Sequence, residues 1–318
     1  IVEERDVREA STPTLSGPEG PRSSEARPEE KGAVEVNAGV YCFQAGWLWE
    51  HLRQLAPGPE GEVYLTALVA LAVDSGARVE GLRCEEPWEV LGVNHRVQLA
   101  QAEAVMRQRI RERWMLEGVT IVDPASTYID ASVELGQDTV IQPNTTLAGR
   151  TRVGRGCLLG PGSIIVDSTV GDRCRVVASM LEESVLEPDV DVGPFSHLRP
   201  GAHVESGVHI GNFVEVKQSR LAQGVRVGHF SYIGDASIGA RANIGAGTIT
   251  CNFDGVKKHR TVVEEEAFVG CDTMLVAPVK VGARAVTGAG SVVTKDVPPD
   301  TLAVGVPATT RPRRRKKA

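Results

Sequence analysis

The chain has 318 residues, a net charge of −6 and only 4% aromatic residues against 34 glycines. The negative balance argues against a general nucleic-acid binder, and no apolar run reaches the length of a membrane span. Six scattered cysteines (Cys42, Cys84, Cys157, Cys174, Cys251, Cys271) form no C-x-x-C pair, which indicates neither a zinc framework nor a disulfide scaffold. Free thiols and the lack of a visible signal peptide point to a reducing, cytoplasmic setting.

In chain order, IVEERD (1–6) reads as a strand end. The Pro-, Glu-, Ser- and Gly-rich stretch 7–33 reads as a disordered loop, because it holds too little apolar surface to offset the entropy of ordering. Residues 33–43 predict a strand and about 44–55 a helix. Residues 61–76 predict a second helix with Leu65, Leu68, Val69 and Leu71 or Ala72 on one face, and 78–84 a further strand. Residues 1–94 thus form an incomplete α/β piece whose missing strands are expected upstream of Ile1. Residues 95–118 predict a linking helix with Val97, Ala100, Ala104, Val105, Trp114 and Met115 inward and Gly118 as its stop.

From Val119 the rhythm changes. Aliphatic residues recur every six positions, at Ile129, Leu135, Ile141, Leu147, Val153, Leu159 and Ile165. After an irregular patch they return at Leu186, Val192, Leu198, Val204, Ile210 and Val216, then at Leu221, Val227, Ile233, Ile238, Ile244 and Thr250. The rhythm breaks over 252–263 and resumes at Val269, Leu275, Val281, Thr287 and Val293. A helix repeats at three and four and a half-buried strand at two. A step of six fits a parallel β-helix of hexapeptide repeats, mainly β, over 119–307. A basic tail, 308–318, follows and reads as a solvated, frayed terminus.

Three hexads close one coil, which stacks residues about 18 apart. Leu198, Val216 and Ile233 then lie in one column, and Arg199 and Lys217 sit over one another. Two stacked cations repel unless an anion or solvent separates them; the pair by itself reads first as two long side chains splayed into water, and as a phosphate seat only with further groups beside it. His197, His203 and His209 are six apart, which puts them on different faces and makes them surface side chains rather than metal ligands. His229, Tyr232, Asn243, Asn252 and Asp254 are groups that the repeat does not need.

LRPGA (198–202), GNFVEVK (211–217), GHFSYIGD (228–235), NIGAGTITCNFDG (243–255) and VGCDTMLVAPVKVG (269–282) resemble the acetyltransferase domain of the bacterial bifunctional enzyme that makes UDP-N-acetylglucosamine. VNHRVQLAQAE (93–103) and GVTIVDPAST (118–127) resemble its domain join. The resemblance implies a left-handed parallel β-helix, preceded by part of an α/β nucleotidyltransferase domain. It also implies a homotrimer with sites between subunits, and small-molecule substrates, an amino-sugar phosphate and acetyl-CoA. It casts His229 as general base; Arg199, Lys217, Tyr232, Asn243 and Lys258 as sugar-phosphate ligands; and Ala246, Asn252, Phe253, Cys271 and Ala289 as the acetyl-CoA site. Glu3, Asn37 and Asn94 resemble nucleotide-sugar contacts, with Asn94 also a Mg²⁺ ligand of the uridyltransferase half. Departures are the missing Gly-rich nucleotide loop, the long 7–33 connection, Val63 and Ala67 where Tyr and Asp are usual, and Gly305 where some members carry Arg. The expected activity is N-acetylation of glucosamine-1-phosphate, with the uridyltransferase half inactive. Another amino-sugar acceptor, a trimeric β-helix zinc lyase and a non-catalytic scaffold are the alternatives.

Overall fold

The structure, a computed structural model, describes residues 37–58 and 61–312, the side chain of Pro87 excepted. Glu3, the 7–33 stretch and the last six residues lie outside the described residues. Two compact units divide between Ala102 and Glu103.

In the first unit, α1 (Ala45–His51) runs into a 3₁₀ turn, Leu52–Gln54, and α2 (Ala67–Asp74) buries Leu68 and Ala72, one turn apart. Leu65 stays 41% exposed, so the expected face is narrower than its apolar pattern. The strands expected at 33–43 and 78–84 do not form among the described residues. A strand exists only through a ladder partner. Residues 41–51 instead build a local ring stack of Tyr41, Phe43, Trp47 and His51, with centroids 5.8, 6.2 and 4.3 Å apart.

Helix α3 (Arg96–Leu116) forms where expected, but its buried side chains are Ile110 and Trp114. Val97 is 64% exposed, Met115 38% exposed, and Ala100 and Ala104 are also exposed. The two buried residues are four apart and join the solenoid core with Val119 and Ile121, so the last turns dock while most of the rest stays exposed. Gly118, at φ 92°, ends the helix, and the N–H of Val119 returns to the Trp114 carbonyl at 3.0 Å.

The second unit is a three-sided parallel β-helix. Its faces are sheets of ten, nine and twelve strands, and every pairing is parallel except the closing Thr301–Gly305/Ala308–Pro312 hairpin. The chain visits the ten-stranded face, then the nine-stranded, then the twelve-stranded. Leu198 pairs with Val216 and Val216 with Ile233, which is the predicted column. Nearly every predicted inward residue is fully buried; Leu135, near the first coil, is partly so. The patch after Ile165 is not irregular. Val170, Val176 and Leu181 continue the core at steps of five, six and five. The interruption is also shorter than expected, because a strand resumes at Thr261–Val263. The first residues of the expected tail are ordered in the closing hairpin, which pairs the last edge.

A second inner row lies two positions before the first. Thr139, Thr145, Thr151, Ser163, Ser168, Ser179, Ser184, Ser196, Ser219 and Ser231 are all buried there. Small side chains fit the corners, and their hydroxyls donate to backbone carbonyls, as Thr145 does to Gln142 at 2.7 Å and Ser196 to Gly211 at 2.6 Å. Each fully buried aliphatic side chain contributes about 1.5–3 kcal/mol of transfer free energy. Ile233→Ala should therefore cost about 2–5 kcal/mol, read as a lower denaturant midpoint; an unchanged midpoint would show that this column does not carry the coil.

Candidate functional site

The corner between the twelve- and ten-stranded faces carries a straight row. Asn212 pairs with His229. Val227 pairs with Ile244 and Ile244 with Val269, so two residues further along His229, Ala246 and Cys271 align. Asp272 donates its N–H to the Ala246 carbonyl at 2.7 Å, and Gly290 to the Cys271 carbonyl at 2.8 Å, which brings Ala289 into the same row. Neighbours in the row are about one strand spacing apart, ~4.8 Å. Below the imidazole the side chains are therefore small, and Cys271 is exposed.

His229 ends the strand Arg226–His229 and is exposed. Its Nδ1 meets Asn212 Oδ1. An amide oxygen only accepts, so Nδ1 carries the proton and Nε2 keeps a lone pair. Just below, Gly245 and Gly247 donate their N–H groups to Val269 and Phe230 at 2.8 and 3.1 Å. Among the described residues, the N–H of Ala246 has no such partner. A proton acceptor and an uncommitted N–H donor thus sit one coil apart on one corner.

Beside each row residue lies a left-handed position, with Phe195, Phe213 and Phe230 at φ 62°, 56° and 46°. That conformation costs each about 1–2 kcal/mol. The rings stack at 5.4 and 5.1 Å between centroids, and such pairs return about 0.5–1.5 kcal/mol each. The ladder thus offsets part of the strain and stiffens the corner above Ala246.

The second cluster lies along the other edge of the ten-stranded face. Arg199 follows Leu198, and Lys217 pairs with Gly234. Arg199 Nη1 holds Glu215 Oε1 at 2.7 Å, and this carboxylate raises the Arg199 pKa. The Lys258 ammonium lowers the pKa of Lys217, with further contributions from its own Coulomb field, slight burial and Arg199. Tyr232 crosses the gap left by Gly234, where its hydroxyl lies 3.4 Å from Asn252 Nδ2. Asn252 Nδ2 also donates to Asp235 Oδ2, and the residue is buried.

Lys258 comes from the interruption itself. Phe253 bridges to Lys258 in antiparallel fashion and stays 58% exposed. Asp254 Oδ1 accepts the N–H groups of Val256 and Lys257 at 2.8 Å each, and His259 Nε2 lies 2.6 Å from Asp254 Oδ2. These bonds, the Lys257 N–H first, lower the Asp254 carboxyl to about 2. Any stability it lends is fully present above the usual 3.8 and is lost as pH falls through about 2.

Arg199, Lys217, Tyr232, Asn252 and Lys258 are therefore gathered on one edge, and His229, Ala246, Cys271 and Ala289 on one corner. Asn243 joins neither. It pairs with Arg226 at the start of the twelve-stranded face, at the end away from His229. Asn37 caps the Gly39 N–H at 3.0 Å, and exposed Asn94 takes the Gln98 side-chain oxygen on its N–H at 2.7 Å. No group of three or more His, Cys, Asp or Glu gathers for a metal among the described residues. A lone amide oxygen is too little to hold Mg²⁺, which binds through carboxylates, phosphates and waters. His197, His203 and His209 lie on three different faces, each against its own carboxylate, Glu182, Glu187 and Asp191. Sequence reasoning missed Asn212, Glu215, Gly234 and Asp235. Asn212 stands 17 residues before His229, one coil, and that spacing was the available signal.

Among the described residues, no helix is long and apolar enough to cross a membrane. The hexapeptide repeat of succinyl-transferase matches residues 260–295. The chain is 48% identical over 282 residues to the bifunctional protein GlmU of Pelobacter propionicus, covering 88% of this chain and 61% of that protein. The GlmU of Fervidobacterium nodosum is 49% identical over 282 residues, covering 88% and 62%. That of Heliobacterium modesticaldum is 46% identical over 281 residues, covering 88% and 61%. The chain thus spans about three fifths of the length of these curated relatives.

Proposed function

We propose that this chain, similar to the bifunctional GlmU proteins over about 61% of their length, transfers the acetyl group of acetyl-CoA to the amine of glucosamine-1-phosphate. The observation that carries the reading is the corner row: a histidine with a bare Nε2 directly above a free backbone N–H and a run of small side chains. The thioester lies along Ala246, Cys271 and Ala289, where no large side chain blocks it. The sugar phosphate lies across the strand Tyr232–Gly234, its phosphate at Arg199, Lys217 and Lys258 and its amine toward His229.

In this mechanism the neutral amine attacks the thioester carbonyl as Nε2 of His229 takes its proton. Charge that develops on the carbonyl oxygen meets the Ala246 N–H, already in place and needing no reorganisation. Collapse expels the CoA thiolate, which recovers the proton from the imidazolium. The thioester is already activated, so positioning and a base suffice without a covalent enzyme intermediate. Asn212 holds the imidazole in the tautomer that can accept. Asn243 faces away from the cluster in its own chain; in a homotrimer it would reach the site of a neighbouring copy, as would Phe253 at the tip of the interruption.

Cys271 offers a test of where acetyl-CoA lies. Alkylation of its exposed thiol with iodoacetamide, mapped by mass spectrometry, should abolish acetyl transfer, and saturating acetyl-CoA should protect this thiol while Cys42 still reacts. Labelling of Cys271 that acetyl-CoA does not slow would place the cofactor elsewhere.

A further inference from the structure

The loop that carries Lys258 is built against its own electrostatics. Asp235 donates its N–H to the Lys217 carbonyl at 3.0 Å and accepts Asn252 Nδ2, so the foot of the loop stands at Lys217, and the Lys258 ammonium lowers the Lys217 pKa, with a further contribution from Arg199. Two unit charges about 4 Å apart repel by roughly 1 kcal/mol in water and about 4 kcal/mol near a protein surface. A free loop would swing Lys258 out into solvent. This loop is pinned by five hydrogen bonds instead. Asp254 accepts the N–H groups of Val256 and Lys257, the residues just before Lys258. Its second oxygen faces His259 Nε2, the residue just after it. The His259 N–H returns to the Asn252 carbonyl at 2.7 Å, and the Asp254 N–H to the Lys257 carbonyl at 3.2 Å. Lys258 therefore sits between two anchored neighbours.

We propose that Asp254 and His259 form a clip that holds Lys258 against Lys217, so that the phosphate seat is assembled before its ligand arrives. They are positioning residues for sugar-phosphate affinity, and neither touches the substrate. The reading rests on the phosphate seat proposed above. Preorganisation moves the cost of bringing like charges together from the binding step to folding, so the anion gains their combined field at once. His259 serves here as a donor. A glutamine can supply the same donor, and a phenylalanine fills the space without one.

The test is calorimetric titration of the full chain with glucosamine-1-phosphate and, separately, with inorganic phosphate, together with acetyl-CoA affinity and thermal midpoint. Asp254→Ala should weaken binding of both phosphate probes by about tenfold, a loss of about 1.4 kcal/mol, and leave acetyl-CoA affinity and the thermal midpoint near the wild-type values. His259→Phe should weaken them several-fold, and His259→Gln should restore them to within about twofold. Phosphate affinity unchanged in Asp254→Ala overturns the clip, as does an equal loss of acetyl-CoA affinity or a glutamine variant as weak as phenylalanine. The Lys217→Ala variant separates the two readings. If it binds both phosphate probes like wild type, or wild type binds neither, the seat itself is wrong and the clip falls with it. If wild type binds inorganic phosphate but not the sugar phosphate, the substrate reading fails, and a loss in Asp254→Ala still supports the clip.

Discussion

Replacing His229 with alanine should lower kcat by about 10²–10⁴-fold, the usual worth of a positioned general base, while the KM for the sugar phosphate stays near its wild-type value. The loss corresponds to about 3–5 kcal/mol of transition-state stabilisation. The split follows from where the groups stand. His229 ends its strand on the corner row, one face away from Arg199, Lys217 and Lys258, so its removal leaves the anion cluster intact. Lys217→Ala should do the reverse. It should raise the sugar-phosphate KM with little change in kcat, because the phosphate is held alike in ground and transition states. Raising the pH should partly rescue His229→Ala, since more of the substrate amine is then already neutral. A His229→Ala variant with kcat intact and only KM raised would make His229 a binding residue.

Gly234→Ala should cut kcat/KM by about 10²-fold and leave the fold standing. A Cβ at Gly234 would come within 2.6 Å of Tyr232 Cζ and 2.7 Å of Asn252 Nδ2. Both are ends of side chains, so they can move aside where backbone could not. The solenoid then keeps its ladder, and the stability loss should stay within the usual range for overpacking a buried position, about 1–3 kcal/mol. The displaced groups, Tyr232 and Asn252, belong to the proposed sugar-phosphate seat, and a misplacement of about 1 Å at a reacting centre can cost 10²-fold. Wild-type kinetics in this variant would show that the Tyr232–Asn252 contact does not shape the site.

The solenoid was legible because its core obeys a rule of one aliphatic residue per step, and that rule survives averaging over many coils. Val170, Val176 and Leu181 escaped because two of their steps are five residues long, which a strict period of six reads as noise. The buried Ser and Thr rows escaped because small polar residues look like surface until the corners that hold them are known. At the site, the stacking of Arg199 over Lys217 followed from coil arithmetic alone. The same arithmetic places Asn212 above His229, yet a lone asparagine carries no mark of chemistry before its oxygen is seen against Nδ1. Val97, Ala100, Ala104 and Met115 were misplaced because apolar spacing marks a possible face, while burial depends on what the helix meets.

The fate of the acetyl group is the most direct test of the proposed activity. Purified protein should be incubated with acetyl-CoA and a panel of amino-sugar phosphates, with thiol release followed and the product identified by mass spectrometry. The expected result is one thiol released per molecule of N-acetylglucosamine-1-phosphate formed, with glucosamine-1-phosphate preferred over the rest of the panel and the rate collapsing in His229→Ala. No thiol release with any acceptor, or release at an equal rate in His229→Ala, would contradict it.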